Sequence, residues 1–129
     1  MARPKAKELT ARELAVMQVF WQGESATAED ARASLATGGE ELAYVTVANV
    51  VRALADMGFL HQTTTTRPYH YRAVKSFDEV SKGLVGELVK RLFDGSREAM
   101  LVHLLNQRKL TETERDYLPS VLREQEDDQ

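Results

Sequence analysis

Val45, Asn49 and Arg52 stand at i, i+4 and i+7, a spacing that brings three side chains onto one face of a helix. Their types suit a DNA major groove. Asn49 can pair bidentately with adenine, Arg52 can reach guanine or a phosphate, and Val45 can pack on a thymine methyl. Arg67, in the short turn Thr66-Arg67-Pro68, and Arg12, near the start of the chain, are placed for phosphate contacts, which fix position without reading sequence. Asp56 shares the helix face but lies near its C-terminal end, away from the end that makes base contacts. Taken alone, each of these residues is explained as well by a solvated surface.

Other chemistry finds little support. His61, His70 and His103 fall in separate elements, with no HExxH, no glycine-rich phosphate loop and no Ser/His/Asp signature, so no enzyme is expected. Two imidazoles on adjacent strands, His61 and His70, make an incomplete metal site. The absence of cysteine removes disulfides, thiolate metal sites and thiol redox sensing. No cofactor is expected.

The helix that would carry the reading residues lies in Leu42 to Gly58. Val47, Val50, Val51 and Leu54 form the i, i+3, i+4, i+7 stripe of a buried face, opposite Val45, Asn49, Arg52 and Asp56. Gly58 provides a left-handed stop, after which the chain turns to strand-forming residues. Before this helix, Thr10-Ala-Arg-Glu13 reads as a capping box for a helix to about Gln22, with Leu14, Met17, Phe20 and Trp21 on its apolar side. Thr27 caps a second helix, Ala28 to Leu35, broken by Thr37-Gly-Gly. After it come two strands, Phe59 to about Thr65 and Tyr69 to Ala73. The order predicts a mainly α fold with a small β-hairpin: a winged helix-turn-helix whose wing tip bears Arg67. Residues 1 to 9 read as a loose basic arm.

The chain of 129 residues has a net charge of −3, unusual for a lone DNA-binding domain. Residues 1 to 75 hold 9 Lys and Arg against 8 Asp and Glu; residues 76 to 129 hold 8 against 12. The first part can thus approach phosphates while the second faces away. The division predicts a winged-helix domain over 1–75 and a helical dimerisation region over 76–129 that ends in a frayed acidic tail from Glu124. Three helices are expected in that region: one opened by Ser76-Phe-Asp-Glu79 and closed by Gly95, one from Ser96 to about Asn106, and one begun by Thr111, which Pro119 delays or kinks. Their apolar residues, Leu84, Leu88, Leu92, Phe93, Met100, Leu101, Leu104, Leu105, Leu118 and Leu122, are too many to be satisfied by packing on one another. An obligate homodimer buries them; packing on the winged-helix core of the same chain is the alternative. No segment reaches about 20 apolar residues, so the chain is expected in the cytoplasm without membrane insertion.

The sequence resembles the penicillinase and methicillinase repressor family, which includes copper-responsive relatives. The resemblance rests on Leu9-Thr-Ala-Arg-Glu-Leu-Ala-Val-Met17 with Trp21, on Tyr44-Val-Thr-Val47, on Leu54 with Gly58-Phe-Leu60, and on Tyr69-His-Tyr-Arg-Ala-Val74. Phe93-Asp-Gly-Ser96 and Met100-Leu-Val-His-Leu104 resemble the family's dimerisation segment. The resemblance implies a dimeric repressor on a palindromic operator of double-stranded DNA, silencing genes of antibiotic resistance or metal handling. It puts Tyr44, Thr46, Asn49 and Arg52 on DNA with Arg67 on the wing, and a membrane sensor or protease in the inducing pathway. The chain departs from the family pattern with Val45 and Asn49 where Thr is common, and with Ala53 and Met57 where basic residues are common. His103-Leu104 stands where some members carry a scissile Asn-Phe bond, and the C-terminal cysteines of the copper-responsive relatives are absent. A winged helix used as a protein-interaction module, which the negative charge permits, is the alternative function.

Overall fold

The computed structural model describes residues 9 to 127. Six helices and three short strands follow in the order α1 (Ala11–Gln22), β1 (Ala26–Thr27), α2 (Ala28–Thr37), α3 (Tyr44–Asp56), β2 (Leu60–Gln62), β3 (His70–Ala73), α4 (Phe77–Leu92), α5 (Arg97–Gln107) and α6 (Glu112–Asp127). The basic arm expected over residues 1 to 9 lies outside the described residues except for Leu9, which is a buried core residue.

Side-chain caps decide where most helices begin. At α1 the Thr10 hydroxyl accepts from the Glu13 amide at 3.1 Å, while the Glu13 carboxylate accepts from the Thr10 amide at 2.7 Å. Thr27 and Asp30 form the same reciprocal pair at α2, with distances of 3.0 and 2.9 Å. Ser76 with Glu79, Ser96 with Ala99, and Thr111 with Glu114 cap α4, α5 and α6. The exception among the described helices is α3, whose N-cap, Ala43, makes no side-chain cap bond. Packing holds α3 instead. Val47, Val51 and Leu54 are fully buried against Met17, Phe20 and Phe59 in one core, and burial of each such side chain contributes about 1.5–3 kcal/mol.

The sheet is antiparallel, in the order β1-β3-β2, with Ala26 opposite Tyr71 and His61 opposite Arg72. Sequence periodicity predicts only two strands here. The third, β1, is two residues long and doubles as the lead-in to α2, too short to show alternation. The wing strands are also shorter than their sequence suggests: the cross-strand pairing ends with Thr63 opposite His70, and beyond it Thr64 and Thr66 make local bonds. The Thr63 amide donates to the His70 carbonyl at 2.8 Å, the His70 amide to the Thr64 hydroxyl at 3.0 Å, and the Gln62 side-chain amide to the Thr64 carbonyl at 2.7 Å.

Gly58 ends the α3 turn at φ +87°, as its place after the helix requires. Trp21, half-buried, packs on the core and donates from its indole to the Lys75 carbonyl at 2.9 Å.

The chain divides into two compact units, and the division falls inside α4, between Glu87 and Leu88. The first unit therefore takes in the opening turns of α4. Val80 is buried there, and Leu84, grouped by sequence with the interface residues, packs on the core of its own chain. In the second unit, α6 begins directly after Thr111 although it contains Pro119, and it continues through the acidic residues to Asp127, where the sequence suggests a frayed tail.

Candidate nucleic-acid interface

The outward face of α3 follows from its inward one. With Val47, Val51 and Leu54 fixed in the core, the helical period leaves Tyr44, Val45, Asn49, Arg52 and Asp56 exposed. Val45 is 62% exposed. The wing lies beside this face. Tyr44, Val45, Ala48, Asn49 and Arg52 border one side of a groove of about 480 Å³, and Arg67, Pro68 and Tyr69 border the other. Thr27, Ala28 and Glu29, at the start of α2, complete its rim.

Five of the seven residues expected to meet DNA are thus gathered in one place: Tyr44, Val45, Asn49, Arg52 and Arg67. Thr46 is half-buried and Arg12 is exposed on α1; neither borders the groove. Sequence reasoning does not single out Glu29 or Tyr69. The side chain of Glu29 is tied to Arg32, whose Nε donates to both carboxylate oxygens at 2.9 and 3.0 Å. That bond holds the Glu29 carboxyl below its ordinary range and pushes the Arg32 guanidinium up. An i, i+3 Glu-Arg spacing on α2 is the signal that could have found the pair. By contrast, Arg52 and Arg67 have no carboxylate partner among the described residues. The groove therefore pairs two uncompensated guanidiniums with an amide side chain and an exposed valine, a set able to meet phosphates, base edges and a thymine methyl.

The penicillinase repressor family model matches residues 9–124 of this chain. The chain belongs to the penicillinase repressor family. This family member is similar to the transcriptional regulator BlaI of two Mycobacterium tuberculosis strains, CDC 1551 / Oshkosh and H37Rv. It is 34% identical to each over 95 residues, which cover 72% of this chain and 68% of the relative. It is a transcriptional regulator of a family of repressors, not of enzymes. In fold it is similar to hsRosR in two solved complexes, with SG and with S4, at 14% identity and a TM-score of 0.54 in each. Those alignments cover 95% of this chain and 96% of hsRosR in the first, and 93% and 91% in the second. At that identity the likeness concerns the fold, a winged helix-turn-helix followed by helices.

In this repressor family member the second unit presents a different surface. Neither α5 nor α6 has a buried residue, and Leu88, Leu92, Leu101, Leu104, Leu105, Leu118 and Leu122 are all exposed, Leu92 to 67%. Phe93 and Met100 are half-buried, the Phe93 ring lying 5.6 Å from that of His103. His103 and Leu104 are exposed on α5. No three metal-binding side chains gather, and no helix is long and apolar enough to cross a membrane, among the described residues.

Proposed function

We propose that this chain is a dimeric, sequence-specific repressor that binds a palindromic operator in double-stranded DNA, acting in the cytoplasm on resistance or stress-response genes. The observation that carries the reading is the groove itself, which joins Asn49 and Arg52 of α3 to Arg67 of the wing. On this reading α3 enters the major groove with Asn49, Arg52 and Val45 toward base edges, and Tyr44 and Thr46 near its leading end. Arg67 meets phosphate or the minor groove, and Arg12 contacts the backbone outside the groove.

The row of exposed leucines from Leu88 to Leu122 supports dimerisation: a monomer would leave these side chains in water. A twofold pairing covers them and repeats the reading helix at two half-sites. Induction through an upstream membrane sensor or protease would not use an Asn-Phe bond, because the corresponding pair here is His103-Leu104.

The net charge of −3 permits one other reading, a winged helix that binds protein rather than DNA. Selection of bound duplexes from a random DNA pool separates the two. The repressor reading expects an inverted repeat with half-site centres about 10–10.5 base pairs, or a multiple, apart, and an affinity that falls steeply with salt. Recovery of no enriched sequence would leave the protein-binding reading in its place.

A further inference from the structure

We propose that Tyr69 is a positioning residue for DNA binding, its ring serving as the platform that holds the Arg67 guanidinium at the edge of the recognition groove. The inference rests on the reading of Arg67 as a wing contact. The Arg67 guanidinium carbon lies 5.7 Å from the centre of the Tyr69 ring, within the range of about 6 Å at which a cation is attracted to an aromatic face. Both side chains border the groove that faces α3.

The two residues differ in how they are held. Tyr69 is half-buried and packs against the hydrophobic core, so its ring has a fixed place. Arg67 is exposed on a loop whose own bonds secure the backbone around it. The Thr64 hydroxyl joins the amide of His70 to the carbonyl of Thr66, at 3.0 and 3.4 Å. None of those bonds reaches the Arg67 side chain, and a free arginine loses much rotamer freedom when it engages a phosphate. A platform that limits its orientations beforehand reduces that loss.

The choice of partner also matters. Glu29, on the rim of the same groove, orients Arg32 of α2, and the carboxylate cancels the charge of Arg32 as it orients it. A neutral ring orients a guanidinium and leaves its positive charge intact for a phosphate. Tyr69 can therefore do for Arg67 what a carboxylate cannot.

The test uses the full chain and a mixed-sequence DNA duplex at low salt, with Arg67→Ala, Tyr69→Leu, Tyr69→Phe and the double variant Arg67→Ala/Tyr69→Leu. Circular dichroism melts establish that each is folded. Arg67→Ala should weaken binding, Tyr69→Leu should weaken it about two- to fivefold, and Tyr69→Phe should restore it. In the Arg67→Ala background, Tyr69→Leu should cause no further loss. A Tyr69→Leu protein that binds as tightly as the parent, beside a weak Arg67→Ala protein, would overturn the platform and leave the wing contact standing. Equal losses from Tyr69→Leu in both backgrounds would also overturn it, since the ring would then be acting on the fold. Full binding by Arg67→Ala would remove the wing contact itself, and the platform with it.

Discussion

The indole N–H of Trp21 donates to the carbonyl of Lys75 across 2.9 Å, joining the last turn of α1 to a residue 54 positions later. Phe77 meets the same indole edge-on, with ring centres 5.3 Å apart and planes at 81°. The entry to α4 is thereby fastened to the first helix of the winged-helix unit. Trp21→Phe keeps an aromatic ring near Phe77 but removes the donor and part of the indole's packing volume, so it should destabilise the fold by about 1–2 kcal/mol. Urea unfolding followed by circular dichroism measures this. An unchanged midpoint would show that water serves the Lys75 carbonyl equally well.

Arg52 and Arg67 border one groove but should fail differently. Arg52→Ala should lower affinity for a selected operator more than for random DNA, by about 1–3 kcal/mol of discrimination if Arg52 contacts a guanine. Arg67→Ala should weaken both alike and flatten the salt dependence by about one phosphate per wing. Titrations of both duplexes at several salt concentrations give the comparison. If the two variants lost specific and non-specific affinity in the same ratio, the division of roles would not hold.

Leu101 is 58% exposed, so Leu101→Glu should leave each chain folded. On a dimer interface the same carboxylate would be buried without a partner, and sedimentation equilibrium should then show a monomer. Persistence of the dimer with unchanged affinity would place the interface elsewhere.

Asp30 carries a pH dependence. The Thr27 backbone amide, and then the Thr27 hydroxyl, hold its carboxyl below the ordinary 3.8, with a smaller contribution from His70. Because the folded value is depressed, the stabilisation is present above the unfolded value and is lost as pH falls through the folded one. Asp30→Asn, which removes the charge held by the Thr27 amide, should lower the melting temperature at neutral pH, and its gap to the parent should close in acid, below the ordinary carboxylate range. Melting curves from neutral pH into that range would show whether the gap closes; a constant gap would show that the charge of Asp30 contributes nothing to it.

What could be read from the chain alone divides along a physical line. Thr10, Thr27, Ser76, Ser96 and Thr111 announce helix starts because capping is local, and Val47, Val51 and Leu54 announce the core face of α3 through their period. The groove is not local. Nothing in the spacing of Asn49 and Arg67 states that a loop 18 positions on returns to the side of the same helix, nor that Arg12 stays away from it. Strand β1 and the pairing of Tyr69 with Arg67 were hidden for the same reason, since each is defined by a partner distant in sequence or by a ring whose place the core decides.

The missing cap at Ala43 bears on how loss of function would be inherited. Helix α3, proposed to read DNA, borrows its order from the core beneath it. Substitutions at Val16, Met17 or Phe59, none of which borders the groove, should therefore surface in a genetic screen as derepressed mutants beside those at Asn49 and Arg52. Only the core class should regain repression on cooling or with a second, stabilising change elsewhere in the chain.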